Sequence, residues 1–433
     1  MAKASRSVGT AFAVERFTLD NGLRVVVAPD RSSPAVAVAV VYDVGFRSEP
    51  EGRTGFAHLF EHLMFQGSKN LSKGEFDRLI EGNGGSMNGS THTDHTLYYE
   101  ILPSNALEVA LFGEADRMDQ IAITEENLSN QVDVVKEEIN VNVHNRPYGG
   151  FPWLHLPQIM FRTFPNAHDG YGSFADLEAA TVDDAIAFFE RYYAPGNAVL
   201  SIAGDVDPDE AHTLVERHFS RVPKRKVGKV ADFSEPIPDA ERRRSHTDAN
   251  APRPAVALGY RVPHPFGAFD TYVATVVLAA VLGDGDASRL YQKLVKQDRV
   301  ATHVSCYVAT FGEWIATRDP TMLEILAYYS DVAETQRVIS SVDEACARVA
   351  EDLSPAELER VVNAFISDYL RESDHLMSRA INFATCEQQR GKAELVNEIA
   401  TLLGAVTVED VAEAASTWLD PKRRAVLEWR PGR

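Results

Sequence analysis

Cysteine is scarce in this chain: only Cys306, Cys346 and Cys386 occur in 433 residues. So small and odd a number excludes a disulfide framework and leads us to expect reduced thiols and a cytoplasmic location. Long apolar runs are missing as well. No stretch of 18 or more apolar residues is present, so no membrane span is expected, and residues 1–14 are too polar for a secretory leader. The Asn-x-Ser pattern at Asn70 to Ser72 then means nothing for glycosylation. Positive charge is also short. With 43 Lys and Arg against 63 Asp and Glu, the net charge is −20, which argues against nucleic acid as a partner and favours basic peptides.

What is present is concentrated in five residues. His58, Leu59, Phe60, Glu61 and His62 place two imidazoles four residues apart, one turn of a helix, with a carboxylate on the same side. Thr54 is the expected N-cap, and Phe56, Leu59, Phe60, Leu63 and Met64 form an apolar stripe that gives such a helix something to pack. Neutral imidazole and carboxylate are usual zinc ligands, and a catalytic zinc takes three protein ligands with a fourth position left for water. Two histidines therefore need a third ligand from elsewhere. The H-x-x-E-H order is the inverted zinc-peptidase signature, in which the glutamate activates water instead of binding metal. A bare pair of helical histidines is more often solvated or buried without metal, so the downstream sequence decides. There, residues 127–139 read as a helix with an apolar face of Leu128, Val132, Val135 and Ile139, carrying both Glu137 and Glu138. Spacing alone leaves the choice between these two open.

Residues 55–68, with His58, Glu61 and His62 at their centre, resemble the active-site helix of the pitrilysin and mitochondrial-processing-peptidase family of zinc peptidases. The resemblance implies a glutamate ligand about 76 residues after the second histidine. Here 138 − 62 = 76, which selects Glu138 and leaves Glu137 as a charged neighbour. It further implies a glutamate seven residues before the ligand, where this chain has Gln131, able to orient a neighbour but adding no charge. Residues 84–100 are similar to the family's strand beside the zinc, so Gly85, Ser86, Met87, Asn88, Gly89 and Ser90 are expected to receive substrate. Small residues suit that task, because an extended peptide pairs with an edge strand through backbone groups alone. Without the neighbouring histidines the same run would be an ordinary Gly-rich hairpin. His92 and His95 are not assigned as ligands, since three already are.

A chain of this length suggests two or three domains, and internal echoes favour two. Thr181-Val182-Asp183-Asp184, then Pro195, then residues 197–202 recur as Thr407-Val408-Glu409-Asp410, Pro421 and residues 424–429, an offset of 407 − 181 = 226. Pro34 to Val38 is echoed by Pro254 to Leu258, an offset of 254 − 34 = 220. We therefore expect an α+β fold of two homologous domains, each a mainly antiparallel sheet packed with helices, as the resemblance also implies. The expected division is 1–222, a linker at 223–250 holding the solvated run Arg242-Arg243-Arg244, and 251–433. Strands are expected at 23–28 and 35–42, and helices at 72–81, where Ser72 and Glu75 suit a capping box, and at 105–118. Gly283 to Ser288 reads as a turn.

The second half lacks the histidine pattern. Residues 287–292 stand where the repeat would place it, and no H-x-x-E-H order follows residue 220. In the resembled family the second half of some chains supplies an arginine and a tyrosine, seven residues apart, for the oxyanion. Here Lys296 and Thr302 or His303 stand near those positions. The resemblance thus implies a zinc-dependent metalloendopeptidase in which Glu61 is the base and His58, His62 and Glu138 hold Zn2+. A related subunit would bring the missing Arg and Tyr, forming a heterodimer around a peptide chamber. Two alternatives accompany it: a non-catalytic scaffold subunit of a larger complex, and a dedicated precursor-processing protease.

Overall fold

The computed structural model describes residues 11–228 and 231–432. Most of the amino-terminal stretch judged above for a leader lies outside them. The chain forms two compact units, each assembled from separate segments. The first comprises Met1–Glu137, Gly170–Ala231 and Leu370–Ile399; the second comprises Glu138–Asp169, Asp232–Tyr369 and Ala400–Arg433.

The first unit is built on six strands, β1 (Glu15–Thr18), β2 (Arg24–Pro29), β3 (Ala35–Tyr42), β4 (Ser86–Thr91), β5 (Thr96–Pro103) and β6 (Ala198–Gly204). They lie in the order β1-β2-β6-β3-β5-β4, antiparallel except for β2 and β6. β3 and β6 occupy the middle and are buried almost throughout, as expected of Val- and Ala-rich strands covered on both faces. One cover is the helix Leu376–Arg390, which packs on β3 and β6 although it comes from near the carboxyl terminus. Ion pairs from Arg379 to Asp30 and from Arg24 to Glu387 fix it there. Helices α1 (Phe56–Leu63), α2 (Glu75–Gly82), α3 (Leu107–Asp119) and α4 (Glu125–Ile139) belong to the same unit, α4 except for its last two residues, as do Val182–Tyr192 and Pro208–Phe219.

In the second unit, β7 (Arg242–Asp248), β8 (Ala255–Arg261), β9 (His303–Val308), β10 (Met322–Tyr328) and β11 (Ala425–Pro431) lie in the order β7-β11-β8-β10-β9. Only β7 and β11 are parallel. α5 (Leu156–Met160) packs on β7, β8 and β11, within a core that holds Phe151, Leu326 and Trp429. Strand for strand this order reproduces β2-β6-β3-β5-β4, with the single parallel pair in the same place. The sequence echoes lie at equivalent points. The helices Val182–Tyr192 and Val408–Trp418 both begin on capping boxes, Thr181 with Asp184 and Thr407 with Asp410, and each runs through a short 3-10 turn into a buried strand. This is the expected α+β architecture of two related halves.

Several local expectations differ from the structure. The compact units do not follow the contiguous division 1–222 and 251–433, because the segment 138–169 belongs to the second unit and 370–399 to the first. The arginine run is part of strand β7, outside any linker: its backbone pairs with β11, and Arg242 donates to the carbonyl of Met160 (2.9 Å). Charge on an edge strand discourages further pairing, which explains a solvated pattern that is nonetheless a strand. Ser72 does bond Glu75, but α2 starts only at Glu75, behind Gly74 with φ 67°. In the second unit the element that follows β8 as α1 follows β3 is Phe269–Gly283, outside residues 287–292; it contains no histidine. Of the expected turn, Gly283 is the last residue of that helix and Asp284 to Ser288 form the turn. Among the described residues no helix is long and apolar enough to cross a membrane.

Candidate metal centre

α1 begins where Gly55, at φ 82°, turns the chain in a way its missing Cβ permits. The expected cap, Thr54, is engaged elsewhere: its backbone N–H and hydroxyl both donate to Asp176 (3.0 and 2.5 Å). The carboxylate of Glu49 caps the helix instead, accepting from the N–H groups of Gly55 (2.8 Å) and Ala57 (2.7 Å). Glu49 is buried, and an anion at the positive end of the helix dipole is stabilising. Nothing in the local sequence period points to a cap seven residues before the first helical residue (56 − 49 = 7). One face of α1 is buried through Phe56, Ala57, Leu59, Phe60 and Leu63. The Phe60 ring lies 5.0 Å from that of Phe188 and 4.7 Å from that of Tyr193. Truncating such a core aromatic typically costs about 3–5 kcal/mol, so the helix cannot easily roll. His58, Glu61 and His62 consequently stay on the other, half-buried face.

The two imidazoles meet at a point. Their rings are nearly perpendicular (87°), and the Nε2 atoms are 3.3 Å apart. Glu138, half-buried in the last turn of α4, brings the third donor, and one ligand atom from each of the three residues lies within 4.8 Å of the others. Two zinc–nitrogen bonds of about 2.0–2.1 Å at a tetrahedral angle set their nitrogens about 3.3–3.4 Å apart. The observed 3.3 Å agrees. The donor set, two neutral imidazoles and one carboxylate, is that of a catalytic zinc site, so these residues fit the metal. Among the described residues no other group of this kind occurs.

The surroundings separate the remaining candidates. Glu137 is exposed on α4, and Gln131 is buried with its amide donating to Asn130 (2.9 Å). α4 runs on into a π-helical turn, Asn140–His144, from which the Asn142 amide reaches Glu138 at 3.5 Å. Such bulges are frequent at functional sites. The ring of Tyr171 stands edge-on to that of His58, centroids 5.2 Å apart. His92 and His95 stack on one another at 4.4 Å, in the turn between β4 and β5.

β4 is an edge strand, pairing only with β5 among the described strands. The N–H of His92 donates to the carbonyl of His95 at the hairpin end. Antiparallel alternation then places the backbone groups of Thr91, Gly89 and Met87 on the open side and those of Ser90, Asn88 and Ser86 toward β5. Asn88 Oδ1 accepts from the Gly89 N–H (2.9 Å) on that open side. Gly85 precedes the strand and bonds the carbonyl of Ile80. Thr91, outside the expected substrate run, donates through Oγ1 to Glu61 Oε2 at 2.6 Å. The only sequence signal for this contact is its two-residue spacing from Gly89 on the same strand face.

A family model described as Insulinase (Peptidase family M16) matches residues 24–165, and one described as Peptidase M16 inactive domain matches residues 179–365. The chain belongs to the M16 peptidase family. The first M16 match holds His58, Glu61, His62 and Glu138; the inactive-domain match falls largely in the half without the H-x-x-E-H order. Among relatives, the zinc protease PqqE of Helicobacter pylori is 29% identical over 83% of this chain and 84% of its own length. The uncharacterized zinc protease YmxG of Bacillus subtilis is 25% identical over 92% and 94%. The crystal structure of a protease from Helicobacter pylori superposes with a TM-score of 0.89 at 24% identity, covering 98% of this chain and all of that one. The M16 inactive domain from Pseudomonas fluorescens gives 0.84 at 16% identity, covering 97% and 98%. At these identities the two structures establish the fold.

Proposed function

We propose that this M16 protein is a zinc-dependent metalloendopeptidase acting on extended or unfolded peptides. The observation that carries the reading is the meeting of His58, His62 and Glu138 at one point, with spacing suited to zinc. Zinc, when bound there, supplies Lewis acidity that polarises a peptide carbonyl and lowers the pKa of water toward about 7. Glu61 adjoins His62 and acts as the base, taking the water proton at Oε1, the oxygen other than that held by Thr91, and returning it to the leaving amine. The open side of β4 receives the substrate backbone at Met87, Gly89 and Thr91, whatever its side chains, with the Asn88 amide giving up the Gly89 N–H as the peptide enters. The three buried thiols suit a reducing, cytoplasmic setting.

The oxyanion donors are the incomplete part. Lys296 lies over the Tyr291 ring (5.2 Å), Thr302 donates to the carbonyl of Tyr328, and His303 opens β9. None reproduces an arginine and tyrosine pair. We therefore propose a heterodimer in which a related subunit supplies that pair and closes a chamber over the substrate. Each oxyanion donor is worth about 10²–10³ in rate, so activity on a fluorogenic peptide should rise by at least that factor when the partner that copurifies is added back. Full activity from the pure chain would remove the heterodimer. A non-catalytic scaffold is the second reading, supported by the match of residues 179–365 to the M16 inactive-domain model, and metal analysis separates the two. One zinc per chain, lost in His58→Ala, supports the enzyme; a folded, zinc-free wild type supports the scaffold.

A further inference from the structure

Strand β4 carries a second task on the face that it turns to α1. The Thr91 hydroxyl lies 2.6 Å from Glu61 Oε2 and only at 3.5 Å from its nearest alternative acceptor, the Ala57 carbonyl, so its proton belongs to the carboxylate. Two residues earlier on the same face, Gly89 leaves room for the acid: a Cβ there would come within 3.2 Å of Glu61 Cγ. One position is small and the next donates. Together they form a seat for a side chain with three rotatable torsions on a half-buried helix face.

We propose that Thr91 is the positioning residue of the base, fixing the Glu61 rotamer through its hydroxyl, so that the strand that pairs with substrate also aims the acid that serves it. The inference rests on Glu61 being the base. Gly89 and Thr91 turn their backbone groups to the open edge and their side-chain face to Glu61, so peptide pairing and base placement are set by the same two residues. A carboxylate held by a charge-assisted hydrogen bond needs no reorientation when the substrate arrives.

The test compares Thr91→Val, which keeps shape and removes the donor, with Thr91→Ser, which keeps the donor, in the full chain with whatever partner copurifies. With a fluorogenic peptide, Thr91→Val should lower kcat by about tenfold to a hundredfold with KM within about twofold, and Thr91→Ser should restore kcat to within about threefold. Zinc per chain should not change. Crystal structures of both variants give a readout that needs no activity. Glu61 should leave its place or spread over rotamers in Thr91→Val and stay seated in Thr91→Ser, with Thr91→Ala as the second deletion should the valine variant not fold. An unmoved Glu61 in the deletion, equal impairment by valine and serine, or a rise in KM at constant kcat overturns the proposal. An inactive, zinc-free wild type overturns the peptidase reading instead, and the crystallographic comparison still decides what Thr91 does to Glu61.

Discussion

Replacing Glu138 by glutamine should remove most of the stability that zinc adds while changing little in its absence. Without metal, the carboxylate lies inside the helical run that α4 and the π-helical turn form together, short of the last turn in which the dipole acts, and the Asn142 amide reaches it at 3.5 Å. A unit of about two hundred residues gains about 2–4 °C in Tm per kcal/mol, so Glu138→Gln in chelator, which swaps one polar group for another of the same shape, should melt within about 2 °C of the wild type. With zinc at a thousand times its Kd, the wild type gains about 4 kcal/mol, or about 8–16 °C. The variant keeps two imidazoles and a neutral amide, and its zinc-dependent shift should fall below about 2 °C. Glu137→Gln is the matched control. Its side chain is exposed, so the substitution should leave the zinc shift intact. Calorimetry with and without chelator, alongside zinc counted per chain, reads all four states. A Glu138→Gln protein that holds zinc with an undiminished shift, or a Glu137→Gln protein that loses it, refutes the assignment of the third ligand.

Glu61→Gln should retain one zinc per chain while kcat falls by about 10²–10⁴, the range for losing a general base; a variant with near-normal turnover would assign the proton transfer elsewhere. His155 offers a pH test in the second unit. Its ring lies 4.5 Å from His246 and 5.3 Å from Trp429, and burial, assisted by the charge of His246, lowers its pKa to about 4. The folded protein thus keeps it neutral while the unfolded chain takes up a proton near pH 6.5. The contribution is complete above about 6.5 and is lost as pH falls toward 4. Trp fluorescence of denaturant-unfolded samples should show His155→Phe flattening that dependence, and an unchanged slope would mean that the imidazole titrates normally.

The grouping of the candidate ligands was more legible in the sequence than the assembly of the fold. His58 and His62 follow from one helical turn, and Glu138 from a distance along the chain that the resemblance supplies. Its preference over Glu137 becomes physical only in three dimensions, where adjacent helix residues point about 100° apart and one meets the histidines. The repeated capping boxes at Thr181 and Thr407 were visible because capping is local. Glu49 capping α1, Thr91 holding Glu61 and Leu376–Arg390 lying on β3 were not, because each joins residues whose proximity no short-range period encodes. Arg242 to Arg244 misled for the opposite reason. A strand at a sheet edge is half solvated, so its local composition is that of a connection.

The interleaving of segments has a consequence for the half that lacks metal ligands. The polypeptide leaves and re-enters each unit, so no single scission releases a self-sufficient histidine-bearing piece. A fragment ending at residue 222 would strip Leu376–Arg390 from β3 and β6 and lay bare two strands that are otherwise buried. The carboxy-terminal half is therefore an obligate companion even where it performs no chemistry. Damage to Arg379, more than three hundred residues downstream of His62 (379 − 62 = 317), would be felt in the unit that carries the histidines.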